Sequence, residues 1–249
     1  MKNFILSTVF VLTLIFNAQA TTWYPSEATC PVCKTTGNFN QVGSYGGYIY
    51  QWETKFQYFY WPLTDDQSVY SCLKCNFTTF MWDFDSIPPD KTEEIKLILK
   101  DIDFGKKYDD YTSIPMHKRL EVAEKVYSVL GRDDDFWCRF YRVMGYHYES
   151  DQQTDNAKIC RDKAKGLAEK MLTDTARSGQ EKESYYIIAC MDYFTGLKDE
   201  ALVYLEKAGK EKYNNQSWEK ENSDNLNDYL DDIISQYKEM ILEEKKTKE

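Results

Sequence analysis

Two pairs of cysteines share the same internal spacing: Cys30 and Cys33 in TCPVCK, and Cys72 and Cys75 in SCLKCN. Each short loop can present two thiolates to one ion while backbone amides donate to the sulfurs, so two loops complete a tetrahedral four-cysteine zinc site. The 38 residues between Cys33 and Cys72 exceed the roughly 15 to 20 of compact zinc ribbons. An inserted aromatic hairpin is therefore expected to bring the pairs together. With four protein ligands, this zinc would be structural.

Two other chemistries stay open for these cysteines. Structural disulfides are one, because an exported chain meets an oxidising compartment. Thiol-disulfide exchange through Cys30 and Cys33 is the other, but such a site favours a helix N-terminus, where the dipole lowers the thiol pKa. Here Lys-Thr-Thr-Gly-Asn follows Cys33, and the strand-like Asn-Phe-Thr-Thr-Phe follows Cys75. The spacing favours zinc over both alternatives.

The other candidate ligands and catalysts give weak signals. The chain has only two histidines, His117 and His147, which excludes a three-histidine metal site and makes a histidine-dependent triad improbable. Cys138, Cys160 and Cys190 are expected to be small buried apolar residues. Runs of adjacent aspartates lack the Asp-x-Asp-x-Asp-Gly spacing of a calcium loop. No catalytic constellation emerges, and the protein is not expected to be an enzyme.

An aromatic-rich segment from Tyr45 to Phe84 must position the cysteines. Its β-branched and aromatic runs, bounded by glycine, proline and aspartate, predict short antiparallel strands, with a second pair near 69–73 and 77–84. Aromatic side chains in the segment also offer a surface that could stack on a sugar or a peptide: Trp52, Tyr58, Tyr60 and Trp61. The scarcity of aliphatic residues favours the alternative that these rings form the core of the small sheet.

The chain begins with a pattern typical of a secretion signal. Lys2 precedes an apolar run from Phe4 to Phe16, and Ala18-Gln19-Ala20 provides a small-x-small cleavage site. Residues 1–20 are therefore predicted to be a signal peptide, which indicates a periplasmic or secreted protein. No later apolar run is long enough for membrane insertion. The net charge of −10 argues against nucleic acid and anionic lipid as partners.

After Pro88-Pro89 the pattern changes to helix. Asp90 and Glu93 resemble a capping box, and further helices are predicted from Pro115 to Leu130 and from Phe136 to Glu149. Arg119 on the second of these is expected to pair with acidic neighbours and hold the helices together. An apolar stripe steps by four and three along the last helix, which is expected to cap the array: Leu226, Leu230, Ile233, Tyr237 and Met240.

Two helical hairpins repeat at an offset of 44 residues. The first register is Tyr141, Met144, Gly145, Tyr148, Ala157 and Ala164. The second is Tyr185, Ile188, Ala189, Asp192, Ala201 and Ala208. Aromatic, apolar and small residues followed by two alanines seven apart are typical of tetratricopeptide hairpins, in which small residues let two helices approach closely.

These features together resemble a bacterial family known as domain of unknown function 2225. The resemblance is carried by CPVC, VYSCLKC and HKRLEVAEKVYSVLGRDDDFWCRFYRVMGYHYE, and runs from about Cys30 to Ala208. It implies that Cys30, Cys33, Cys72 and Cys75 are the metal ligands, and it supplies no activity. Lys34, where many relatives have glycine, and the signal peptide both depart from the family pattern.

The sequence thus predicts an α+β protein with residues 1–20 as signal peptide. Residues 21–87 are predicted to form a β-rich four-cysteine zinc region, and residues 88–249 a tetratricopeptide-like helical domain with a C-terminal capping helix. The expected function is non-catalytic binding of another protein or a peptide, with structural zinc. A thiol-disulfide oxidoreductase and a carbohydrate-binding module are the alternatives.

Overall fold

The computed structural model describes residues 22–44 and 65–247. Strands β1 (Thr22–Thr29) and β2 (Thr36–Ser44) form one antiparallel hairpin. Strands β3 (Val69–Ser71) and β4 (Thr78–Phe80) form a second. Each hairpin turns at one Cys-x-x-Cys loop, so the two cysteine pairs occupy the two hairpin tips.

Seven α-helices follow in the described part of the chain, and the predicted α+β class is confirmed. They are α1 (Thr92–Leu99), α2 (Met116–Leu130), α3 (Asp134–Ser150), α4 (Thr154–Met171), α5 (Glu181–Phe194), α6 (Lys198–Ala208) and α7 (Lys220–Lys246). Gly131 ends α2 with φ 68°, a backbone conformation that glycine adopts at little cost. Asp133 caps α3 by accepting a hydrogen bond from the Phe136 amide at 2.8 Å. Among the described residues, no helix has the length and apolar character needed to cross a bilayer.

The start of α1 and the predicted strands differ in detail from expectation. Residues Pro89–Lys91 form a 3-10 turn, and α1 begins without a side-chain cap, so Asp90 does not form the expected capping box. The strand predicted over 77–84 ends at Phe80 because Met81–Asp83 coils into a 3-10 turn. Hairpin β1–β2 is not apparent from sequence, since only Phe39 among its residues is buried and no apolar alternation marks the strands.

The first of the two predicted helical hairpins corresponds to α3 and α4, which approach each other closely. A side chain at Gly145 would place its Cβ 3.3 Å from the Ala157 carbonyl oxygen, while Cys138 Sγ donates to the Ala164 carbonyl at 3.5 Å. The two contacts run in opposite order along the two helices, so α3 and α4 are antiparallel. The alanines of both registers are fully buried: Ala157, Ala164, Ala201 and Ala208.

The cysteine hairpins share their hydrophobic core with the first two helices. One cluster joins Cys30, Phe39 and Phe77 to Ile95 of α1 and Val126 of α2. A second joins strands β3 and β4 to α2 and α3, and a third lies among α3–α7. Apolar contacts therefore run continuously across residue 87, and the cysteine hairpins pack against α1 and α2.

Candidate metal centre

The two cysteine loops have the same backbone geometry. In the first, the Lys34 amide donates to the Cys30 carbonyl at 2.9 Å and the Cys30 amide donates to the Thr35 carbonyl at 2.9 Å. In the second, Asn76 donates to the Cys72 carbonyl at 2.8 Å and Cys72 donates to the Phe77 carbonyl at 2.8 Å. Position by position, the two loops are equivalent knuckles that present their sulfurs in the same way.

The four sulfurs converge from the two tips. Cys30 Sγ lies 3.6 Å from Cys75 Sγ, and Cys33 Sγ lies 3.6 Å from Cys72 Sγ. All four lie within 4.8 Å of one another. Four zinc–sulfur bonds of about 2.3 Å in a tetrahedron require sulfurs about 3.8 Å apart, whereas a disulfide requires about 2.05 Å. The donor set and its spacing therefore fit a tetrahedral divalent ion, and all seven cysteines are free thiols.

Hydrogen bonds already stabilise negative charge on the sulfurs. Cys30 Sγ accepts from the amides of Val32 and Cys33, and Cys72 Sγ accepts from the amides of Lys74 and Cys75. Such amide donors stabilise thiolate ligands. The pattern follows from the knuckle turn, and sequence reasoning could infer it only from the Cys-x-x-Cys spacing.

Crowding separates the thiol pKa values. Contacts with the Cys30 and Cys75 thiols lower the pKa of Cys72. The contact with Cys72 raises the pKa of Cys30, and contacts with Cys30 and Cys72 raise the pKa of Cys75. Four thiolates this close together would repel one another. A divalent cation would remove that repulsion and allow all four to ionise.

The residue after each second cysteine adopts a left-handed backbone. Lys34 has φ 60° and Asn76 has φ 61°, a conformation that asparagine tolerates and lysine rarely adopts. Asn76 also donates from Nδ2 to the Ile102 carbonyl at 2.9 Å. That bond ties the second knuckle to the chain beyond α1, a contact that the sequence does not reveal.

Helix α2 fixes the hairpins through Arg119. Its guanidinium is fully buried and donates from Nη1 to the carbonyls of Asp66 and Val69 at 2.6 and 2.7 Å, and from Nε to the Ile114 carbonyl at 3.0 Å. These three bonds are to backbone oxygens, while the acidic neighbours Asp66, Asp110 and Asp65 act on the guanidinium through their charge. Burial lowers the pKa of Arg119 to about 10. The residue holds the start of β3, the strand that leads into the second knuckle, on α2.

A second link from α2 holds β4. Tyr127 is buried, and its hydroxyl accepts from the Phe80 amide at 2.8 Å while donating to Asp83 Oδ2 at 2.7 Å. Its pKa is raised well above the usual value by burial, so the hydroxyl remains a donor. Arg119 and Tyr127 thus position the two strands that lead into and out of the second knuckle.

The other cysteines and His117 lie among the helices. Cys138, Cys160 and Cys190 are buried among the helices as expected. His117 lies against Tyr148 and pairs with Asp151 at 2.5 Å. The aromatic candidates and the predicted signal peptide lie outside the described residues: Trp52, Tyr58, Tyr60, Trp61 and residues 1–20.

Comparison with known proteins identifies the family of the chain. Neither the curated proteins nor the solved structures contain a significant match to the chain. A family model described as an uncharacterized protein conserved in bacteria, DUF2225, matches residues 23–233. The match takes in both cysteine hairpins from residue 23 onward, helices α1–α6 and about half of α7. The chain belongs to the DUF2225 family.

Proposed function

We propose that this protein is an exported, non-catalytic scaffold in which a structural zinc ion organises the N-terminal hairpins and the helical array binds another protein or a peptide. The observation that carries the metal assignment is the matched pair of knuckles. Both direct two sulfurs to one point, and amide donors support the sulfurs on Cys30 and Cys72. Zinc prefers four thiolates in this arrangement.

A structural role follows from the ligand count. Four cysteines fill a tetrahedral zinc ion and leave no open position for water or substrate. A thioredoxin-like role receives less support because each Cys-x-x-Cys loop leads into a strand, β2 or β4, instead of opening a helix. The dipole that activates such thiols is therefore missing from both loops.

Repeated surface features support protein binding by the helices. Lys163 lies over the Tyr141 ring at 4.4 Å, and 44 residues later Lys207 lies over the Tyr185 ring at 5.7 Å. Both rings are half-buried. Rigid aromatic rings with a cationic rim provide contact area at low entropic cost, which suits a helical array that binds a polypeptide.

Metal analysis of the purified protein tests the zinc assignment. We expect about one zinc per chain after purification under reducing conditions, and loss of most of it in Cys72→Ser. Cys160→Ser is the matched control, because Cys160 is buried between helices and belongs to a different core cluster, and it should retain the metal. A metal-free wild-type protein with disulfides among the four cysteines would remove the assignment.

Two further measurements test export and binding. Cell fractionation with N-terminal sequencing should find mature protein beginning just after Ala20 outside the cytoplasm. Cross-linking should join the protein to a defined partner, and the Lys163→Glu, Lys207→Glu double variant should lose that product while Lys158→Glu retains it. Lys158 suits the control because it is exposed and pairs along its own helix, with Asp162 at 2.7 Å. Equal cross-linking by both variants would exclude this face.

A further inference from the structure

The direction of the backbone groups along β2 can be read from its pairing with β1. In an antiparallel pair, successive residues turn their N–H and C=O alternately toward the partner strand and away from it. Asn40 pairs with Pro25, which has no N–H to exchange, so Asn40 belongs to the set that turns away from β1. The register continues unbroken toward the knuckle. Asn38 and Thr36 therefore also turn their backbone groups away from β1.

Side-chain contacts establish the same direction independently. The Asn40 amide donates to the Tyr111 hydroxyl at 3.2 Å, and its carbonyl accepts from the Tyr70 hydroxyl at 2.8 Å. The Tyr111 hydroxyl accepts as the C=O of a third strand would, and the Tyr70 hydroxyl donates as its N–H would. At Asn40, therefore, the hydroxyls of Tyr111 and Tyr70 satisfy the backbone groups that face away from β1.

Between Asn40 and the first cysteine loop, β2 borders a groove. The groove, of about 430 Å³, is lined by residues 35–39 on one side and 71–74 on the other. Thr36 and Asn38 are both exposed. Within residues 22–44 and 65–247, no backbone hydrogen bond satisfies the outward groups of these two residues. Unpaired donors and acceptors along a strand edge are a template for another strand.

The groove has an acidic balance. Asp109 and Asp110 line it against one lysine, Lys74. Asp110 uses Oδ1 to bond the Thr112 amide and hydroxyl at 2.7 and 2.6 Å, whereas Asp109 is exposed. A cationic side chain entering beside the edge would meet these carboxylates. A second copy of this chain fits poorly, because each copy carries a net charge of −10.

We propose that the groove binds an extended, basic segment of another polypeptide, which adds to β2 as a third strand of the hairpin. Backbone bonds to Thr36 and Asn38 supply affinity, and a lysine or arginine beside Asp109 supplies selectivity. This inference rests on the proposed function as a protein-binding scaffold, and it gives the scaffold a second contact region next to the metal centre.

A pair of proline variants separates the two edges of the hairpin. Asn38→Pro removes the N–H that faces the groove, and Glu27→Pro removes the corresponding N–H on the outer edge, since Glu27 pairs with Asn38 and also turns away from its partner. Neither change deletes a bond between β1 and β2, and proline is tolerated at such edge positions. Asp109→Lys reverses the charge without touching the strand.

The probe is the synthetic peptide acetyl-Lys-Val-Lys-Val-Lys-amide, titrated into isotope-labelled, metal-analysed protein and followed by amide chemical shifts. We expect shifts at Thr36 and Asn38, about tenfold weaker binding to Asn38→Pro, severalfold weaker binding to Asp109→Lys, and unchanged binding to Glu27→Pro. Alternate N-methylation of the peptide should also abolish binding to wild type, which tests the backbone bonds without altering the protein.

The outcomes separate this site from the proposed function. If millimolar peptide causes no amide chemical-shift change at Thr36 and Asn38 in zinc-loaded protein, the proposed peptide site is wrong and the scaffold proposal is unaffected. Shifts confined to α3–α6, or concentration-dependent self-association through β2, also overturn the peptide site. Peptide binding at the edge by protein that never carries metal retains the groove and removes the zinc proposal.

Discussion

The residue that follows each second cysteine offers a test of the knuckle geometry, because two equivalent positions should respond to glycine with opposite signs. Lys34 and Asn76 share the left-handed backbone, with φ 60° and 61°. That conformation costs a residue with a Cβ about 1–2 kcal/mol. Glycine removes this cost. It also lowers the stability by about 0.4–1 kcal/mol, because the unfolded chain gains conformational freedom.

For Lys34→Gly, the side chain is exposed and its loss costs little. The net effect should be a free energy of unfolding higher by about 0.5–1 kcal/mol. For Asn76→Gly, little backbone strain is relieved, since asparagine adopts this left-handed conformation readily. The bond from Nδ2 to the Ile102 carbonyl, 2.9 Å long, is lost. A lost bond of about 0.5–1.5 kcal/mol and the entropy of glycine together lower the stability by about 1–2 kcal/mol.

Urea unfolding of the metal-loaded variants measures these changes, and competition with a chromophoric chelator gives a second readout. Because the folded knuckles are the form that binds metal, zinc affinity should rise about two- to fivefold in Lys34→Gly and fall about five- to thirtyfold in Asn76→Gly. A change of the same sign in both variants would refute the equivalence of the two turns.

Three further predictions follow from burial and close contact. At pH 8 the thiols of Cys138, Cys160 and Cys190 should react slowly with a disulfide reagent, because burial raises their pKa to about 11, 12 and 12 and keeps them protonated until the pH approaches those values; rapid reaction of all seven thiols in the folded protein would contradict this burial. Arg119→Met should lower the free energy of unfolding by about 2–4 kcal/mol and speed amide exchange in β3, and a loss below about 1 kcal/mol would show that its three carbonyl bonds matter little. Gly166→Ala should stabilise α4 by about 0.5–1 kcal/mol, since nothing lies within 4 Å of the added carbon. Gly145→Leu should lower the free energy of unfolding by about 2 kcal/mol or more through overpacking. Equal melting temperatures for the two variants would argue against the close approach of α3 and α4.

The helical half of the fold could be predicted well because its signals are local. Apolar periodicity, Asp133 as a cap and Gly131 as a terminator mark the helices within a residue or two. The 44-residue repeat predicted which small residues are buried between helices, since close approach demands small side chains at fixed spacing.

Hairpin β1–β2 shows where such signals fail. Its residues are mostly polar and half-exposed, so no alternation distinguishes them from a loop. Strand pairing here depends on the contacts of Phe39, which lies 4.5 Å from Tyr70 and 5.1 Å from Tyr111, ring centre to ring centre. Those partners come from distant parts of the chain, so no local sequence pattern predicts them.

The sequence by itself determined which residues can hold a metal, because the Cys-x-x-Cys spacing selects a turn that exposes two sulfurs on one side. Only the tertiary structure decided that the two turns meet, that α2 holds them there through Arg119 and Tyr127, and that β2 borders a groove beside them. The physical reason is range: turn geometry depends on neighbouring residues, whereas convergence of two hairpins depends on a core assembled from residues far apart in the chain.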